Sequence, residues 1–150
     1  GNNCGDLAIY SGISCGAEII VTQETGDDEQ EVLAKLRELD TNRKKKHAIV
    51  VISEKITDVE MLAAKISKAT GFSGRSTVLG HIQRGGSPTA FDRVLATRMG
   101  DYAVELLVKG IGGHCVGMVH NEITSFPIEE ALAMPKASRK GLFALHQRLI

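Results

Sequence analysis

HAIVVISEKITDVEMLAAKISKATG, residues 47–71, carries the pattern from which the fold is read. Residues 47–53 form an almost unbroken run of Ile and Val, as expected of a parallel strand covered on both faces. Residues 58–70 then switch to helical spacing through Val59, Leu62, Ile66 and Ala69, with Gly71 as a stop signal. The same alternation extends in both directions. Upstream, the spacing predicts a helix over residues 4–15, a strand over 19–22, and a helix whose apolar stripe is Val32, Leu33, Leu36 and Leu39. Downstream it predicts a strand over residues 76–79 and a long helix capped by Ser87, with Pro88 in its first turn and Gly110 as its end. A strand over 115–119, a turn over 120–122 and two short helices near 129–133 and 139–149 complete the chain. Short strands alternating with helices define an α/β class with a mostly parallel sheet.

The chain has 150 residues, 43% of them hydrophobic, enough for one compact domain and no clear linker. Eighteen basic residues balance eighteen acidic ones, so no overall field draws the chain to nucleic acid or to an acidic membrane surface. No apolar run is long enough for a transmembrane helix and no leader pattern is present, so a cytoplasmic protein is expected. Cys4, Cys15 and Cys115 are odd in number and widely spaced. A disulfide framework and a structural zinc site are therefore not expected, and the three thiols read as reduced and mostly buried.

The most informative segment runs from Ser76 to Pro88. A predicted strand leads into His81 and Arg84, followed by Gly85, Gly86 and a helix start. Ligands of α/β proteins collect beyond the carboxyl ends of strands, glycines admit a ligand close to the backbone, and a helix start offers free N–H groups. Arg84 can grip a phosphate with a planar fork of donors, and His81 can add a further hydrogen bond. The competing reading of the spacing is a plain turn with a solvated arginine. Glu54, at the carboxyl end of the strand over 47–53, reads as a ligand contact, against the alternative of a surface charge. Arg43, Lys45, Lys46 and His47 form a basic cluster that suits a polyanion or, equally by composition, a solvated turn.

Thr77-Val-Leu-Gly-His-Ile-Gln-Arg-Gly-Gly-Ser-Pro-Thr-Ala-Phe-Asp-Arg93 resembles the long signature of the 6-phosphofructokinases. Cys4-Gly-Asp-Leu-Ala8, Gly16-Ala-Glu18, Lys45-Lys-His47, Ala69-Thr-Gly-Phe72 and Gly112-Gly-His-Cys-Val-Gly117 resemble the C-terminal half of the bacterial ATP-dependent enzymes, in the same order. The resemblance implies a three-layer αβα sandwich in which residues 1–150 are the substrate- and effector-binding domain. The N-terminal ATP-binding half lies outside these residues. It also implies that His81 and Arg84 hold the 6-phosphate of fructose 6-phosphate, with Ile82 and Gln83 between them. Arg75 would reach that phosphate across a subunit boundary, and Glu54 would bond a sugar hydroxyl. Gly1 and Asn2 fall at further substrate positions, with Asn2 where the bacterial enzymes usually carry an arginine that neutralises the transferring phosphoryl group; an amide cannot supply that charge. His114 also stands where arginine is frequent.

Gly16, Ala17, Glu18, Arg43, Lys45, Lys46 and His47 match the positions for an allosteric ADP or phosphoenolpyruvate, with Glu18 able to reach such a ligand through Mg²⁺. The family's Gly-rich ATP loops, Mg²⁺ aspartate and aspartate base match nothing in these residues. Mg²⁺ and ATP are therefore expected on the other half, this half is expected to be inactive alone, no metal site is assigned to it, and the intact enzyme is expected to be a tetramer. The expected reaction passes the ATP γ-phosphoryl to the 1-hydroxyl of fructose 6-phosphate, a glycolytic step. A pyrophosphate-dependent phosphofructokinase and a non-catalytic sugar-phosphate or nucleotide sensor are the alternatives. A nucleic-acid-binding module is remote.

Overall fold

The structure is a computed structural model that describes residues 4–26, 28–41, 45–135 and 138–150. The chain divides into two compact units, one comprising residues up to Val78 together with Ser138–Ile150, the other Leu79–Ala137.

The first unit is a three-layer αβα arrangement around two parallel strands. β1 (Ile19–Val21) pairs with β2 (Val50–Ile52) in the register Ile19↔Val50, Ile20↔Val51, Val21↔Ile52. Because strand side chains alternate, the two faces collect different partners. Ile19 and Val21 pack with Val32, Leu33 and Leu36 of α2 (Glu29–Thr41) and with Leu62 and Ile66 of α3 (Val59–Ala69). Ile20 packs on the opposite face with Ala8 and Ile9 of α1 (Asp6–Cys15), while Leu142 and Phe143 of α6 (Lys140–Leu149) cover the same side. Each fully buried Leu, Ile or Val contributes roughly 1.5–3 kcal/mol.

Local chemistry sets the element ends. Asp58 accepts from the amides of Glu60 and Met61, starting α3, and Asp28 does the same for Gln30 and Glu31 at the start of α2. α1 stops at Gly16, whose φ of 67° is costly for any residue with a Cβ. The ladder covers Val50–Ile52 rather than residues 47–53, and at its carboxyl end β1 is terminated where the Thr25 hydroxyl takes the Thr22 amide at 2.9 Å and closes a turn. The bidentate pair of Arg139 with Asp6, at 2.6 and 2.9 Å, joins the first turn of α1 to the residue that precedes α6.

The second unit begins with a 3₁₀ turn over Gly80–Arg84. It continues with α4 (Ala90–Val108), β3 (His114–Val119), β4 (Glu122–Pro127) and α5 (Ile128–Ala133). β3 and β4 are antiparallel in a register from His114↔Pro127 to Val119↔Glu122. His120 and Asn121 join them with φ of 49° and 68°, the positive values that a two-residue type I′ hairpin turn requires.

Several sequence expectations are corrected. Residues 76–79 join no ladder among the described residues, and Val78 and Leu79 are 73% and 57% exposed; strand propensity makes a strand only where a backbone partner is available. The long helix is capped by Thr89 rather than Ser87. The Thr89 hydroxyl and the Asp92 carboxylate each satisfy the other residue's amide, a reciprocal box that a serine followed by proline does not supply here. β4 was not expected, and its pairing with β3 makes that sheet antiparallel. Cys15 and Cys115 are exposed and Cys4 is half-buried, all three free: Cys15 ends α1 on its outer side and Cys115 stands on the open face of the hairpin.

Candidate functional site

In the second unit, the 3₁₀ turn settles how His81 and Arg84 stand. Side chains three residues apart eclipse one another in a 3₁₀ helix, so the imidazole and the guanidinium project to the same side. All of residues 81–84 are exposed. Gly80 and Gly85 bound the turn with φ of 57° and 87°, and Gly85 closes it by donating to the Ile82 carbonyl at 3.1 Å. A Cβ placed on Gly85 or Gly86 would meet no atom within 4 Å, so the backbone after Arg84 is open to close approach.

The helix start contributes less to this site than its sequence suggests. α4 begins at Ala90, and its N-terminus already holds a carboxylate: Asp92 accepts from the amide and the hydroxyl of Thr89, both at 2.7 Å. Those two bonds, the hydroxyl's first, hold the Asp92 carboxyl below its ordinary value. A resident negative charge offsets the attraction of the helix dipole for an anion. The cationic donors this loop offers an anion are therefore those of Arg84 and His81.

The remaining residues assigned to the sugar phosphate belong to the first unit. Glu54 follows β2 and is exposed; the Gln23 amide donates to its carbonyl at 3.4 Å. Lys55 beside it has a φ of 64°, a left-handed conformation in a non-glycine residue at the carboxyl end of the strands. Ser53, 6% exposed, has a buried hydroxyl with no hydrogen-bond partner among the described residues. Neither feature was anticipated from sequence, although the strand alternation already puts Ser53 on the same face as Val51. Arg75 is exposed and lines a groove of about 510 Å³ with Lys46, His47, Leu62 and Phe72. Gly1 and Asn2 lie outside the described residues.

The residues assigned to an effector divide between two environments. Glu18, 6% exposed, sits just before β1 with Ile49 just before β2, at the amino end of the ladder. Its Oε1 accepts from Lys45 Nζ at 2.8 Å and its Oε2 from the Ile49 amide at 2.6 Å. Burial pushes the Glu18 carboxyl up, but the Lys45 and Ile49 bonds together outweigh it and leave the group below its ordinary value. Gly16 and Ala17 lead into this corner, where the Ala17 carbonyl meets His146 Nε2 of α6 at 2.7 Å. Lys46 and His47 instead line the groove beside Arg75. Arg43 lies outside the described residues. As it stands Glu18 does not suit Mg²⁺, because both carboxylate oxygens are engaged and a cation there would face the Lys45 ammonium. Among the described residues no group of three His, Cys, Asp or Glu side chains is placed to hold a metal.

The layers of the first unit make this an α/β protein, and the second unit carries the glycine-bounded turn with His81 and Arg84. Residues 1–107 match the Phosphofructokinase family, and the chain belongs to that family. It is 51% identical over 150 residues to an ATP-dependent 6-phosphofructokinase of Teredinibacter turnerae, with 99% of this chain and 47% of the relative covered. The corresponding protein of Photobacterium profundum is 49% identical with the same coverage. Among solved structures, the phosphofructokinase of Pichia pastoris in the T-state superposes with a TM-score of 0.72 at 27% identity, over 99% of this chain and 17% of that one. The chain thus spans about half the length of the curated relatives it matches. No helix among the described residues is long and apolar enough to cross a membrane.

Proposed function

We propose that this chain is the sugar-phosphate- and effector-binding half of an ATP-dependent 6-phosphofructokinase, an enzyme that passes the γ-phosphoryl of ATP to the 1-hydroxyl of fructose 6-phosphate. The observation that carries the proposal is the eclipsed, exposed pair of His81 and Arg84 on a turn bounded by Gly80 and Gly85. Two donors on one side, one a planar fork, suit a phosphate monoester. The family resemblance assigns Glu54 as acceptor for a sugar hydroxyl and Arg75 as a cation that reaches the phosphate across a subunit interface. In this reading the chain contributes positioning: holding the sugar so that its 1-hydroxyl faces the donor is worth several kcal/mol of barrier. ATP and its Mg²⁺ belong to the half that this chain does not span, and ADP or phosphoenolpyruvate is the ligand assigned to the corner of Glu18 and Lys45. The intact enzyme works as a cytoplasmic homo-tetramer in this proposal. The name shared by the bacterial relatives supports ATP rather than pyrophosphate as donor.

Calorimetric titration of the 150-residue chain with fructose 6-phosphate tests the site. Millimolar binding that disappears in Arg84→Ala is the expected result. Binding that survives Arg84→Ala would remove the turn from the site. Turnover of the full-length protein with ATP and with pyrophosphate tests the donor, and activity with pyrophosphate alone would overturn that part.

A further inference from the structure

Residues 70–74 follow α3 and are tied down onto α2 and α3. The Gly71 amide donates to Asp40 Oδ2 at 2.9 Å, the Phe72 amide to Thr70 Oγ1 at 3.2 Å, and Arg37 Nε to the Ala69 carbonyl at 3.3 Å. Phe72 packs against the buried cluster that holds Leu36, Leu62 and Ile66. The last tether is at Gly74, whose amide donates to Ser67 Oγ at 2.8 Å. That hydroxyl donates in turn to the Ala63 carbonyl, one turn back in α3, at 3.0 Å. Ser67 follows the buried Ile66, so the acceptor stands on a helix fixed to the core.

Space makes the same tether strict. A Cβ on Gly74 would overlap the Ala63 carbonyl oxygen and lie 3.1 Å from Ser67 Oγ. Gly74 lacks the left-handed φ of Gly80 and Gly85, so glycine serves closeness here and not conformation. The next residue is Arg75, which is exposed and whose side chain makes no hydrogen bond or ion pair among the described residues. Gly74 is thus the anchor from which an unpaired guanidinium projects.

We propose that Ser67 and Gly74 are positioning residues for Arg75: together they set how closely the chain lies on α3, and so where the guanidinium meets a phosphorylated sugar. This rests on the assignment of Arg75 as a cation for the 6-phosphate, and adds how the chain aims it. A guanidinium bonds a phosphate through a planar fork, so it needs a placement that a point charge does not. A side chain that reaches a ligand of another subunit is already extended and has little slack to recover a displaced backbone, and a displacement of about 1 Å is enough to cost up to 100-fold. Neither Ser67 nor Gly74 touches the ligand in this scheme; both act through Arg75.

Steady-state kinetics of the full-length protein, at saturating phosphoryl donor and Mg²⁺, test it with Ser67→Ala, Gly74→Ala and Arg75→Ala, alone and combined. Arg75→Ala raises the KM for fructose 6-phosphate about 10-fold or more. Ser67→Ala raises it about 3–10-fold with kcat unchanged, because a grip on the phosphate is lost equally from the bound substrate and the transition state. Ser67→Thr, which keeps the hydroxyl, leaves KM near its original value. Gly74→Ala gives a larger rise than Ser67→Ala, about 10–100-fold. In the Arg75→Ala background Ser67→Ala has no further effect on KM, since nothing remains to be positioned. An unchanged KM in Ser67→Ala, a rise of the same size with and without Arg75, or a rise that Ser67→Thr shares overturns the proposal while leaving Arg75 in the substrate set. An unchanged KM in Arg75→Ala removes Arg75 from that set and overturns both. Should Gly74→Ala not fold, the Ser67 variants decide alone.

Discussion

At the amino end of the β1–β2 ladder an ionisable group is buried, paired and fully hydrogen-bonded, whereas on the Gly80–Arg84 turn His81 and Arg84 stand exposed on a backbone open to approach. Glu18 ties the start of β1 to the start of β2 through Ile49 and holds Lys45 beside them. The turn ties nothing together. Charged residues at the first place maintain the fold, and those at the second are free to spend their hydrogen bonds on a ligand. A ligand that recruits Lys45 must first separate it from Glu18, leaving a buried carboxylate short of a partner.

The contrast can be broken most sharply at Glu18. Glu18→Ala removes the acceptor shared by the part-buried Ile49 amide and the Lys45 ammonium and is expected to destabilise the chain by about 1–2 kcal/mol in urea titration. A loss below about 0.5 kcal/mol would show that the corner does not hold the strands together.

Acid sharpens the same point. Glu18, Glu24 and Asp6 all titrate below their ordinary values of 4.5, 4.5 and 3.8. For Glu18, burial acts upward and is outweighed by Lys45 and Ile49; for Glu24 the Gly5 amide is the main cause, and for Asp6 the Arg139 guanidinium. Carboxyls depressed in the folded state contribute stability that is complete above their unfolded values and is lost as pH falls through the folded ones. Urea midpoints are therefore flat above about pH 5 and fall below it, and Glu18→Gln makes the fall shallower. An unchanged slope in that variant would detach Glu18 from acid unfolding.

Smaller effects are expected in the second unit. Thr89→Ala breaks the reciprocal box at the start of α4 and costs about 1 kcal/mol, read as a lower urea midpoint. Arg84→Ala changes stability by no more than about 0.5 kcal/mol while abolishing binding of fructose 6-phosphate. A large loss of stability in Arg84→Ala would place that residue with Glu18, as a structural charge.

Most of the fold was legible in the sequence. The Ile and Val run over residues 47–53 and the stripes Val32-Leu33-Leu36 and Leu62-Ile66 each encode a local period, and period is a property of the chain alone. β4 escaped because the Thr and Ser in Glu122–Pro127 weaken the alternation, although the turn that leads into it was expected over residues 120–122 and is found at His120 and Asn121. Residues 76–79 erred in the other direction, with strand propensity but no partner. At the candidate site, the proximity of His81 and Arg84 was legible from their spacing, but their eclipse depends on a 3₁₀ rather than an extended backbone. The unpartnered Ser53 hydroxyl and the left-handed Lys55 had no local signal.

The sequence by itself determined the alternation of strands and helices, the glycine-bounded His–Arg loop and the family to which that loop belongs, because these depend on residue type and short-range spacing. Only the tertiary structure decided that Glu18 is bound to Lys45 and Ile49 and that Asp6 meets Arg139 across 133 residues. Those outcomes depend on which distant groups burial brings within hydrogen-bonding distance, and a pairing energy exists only after the layers have packed.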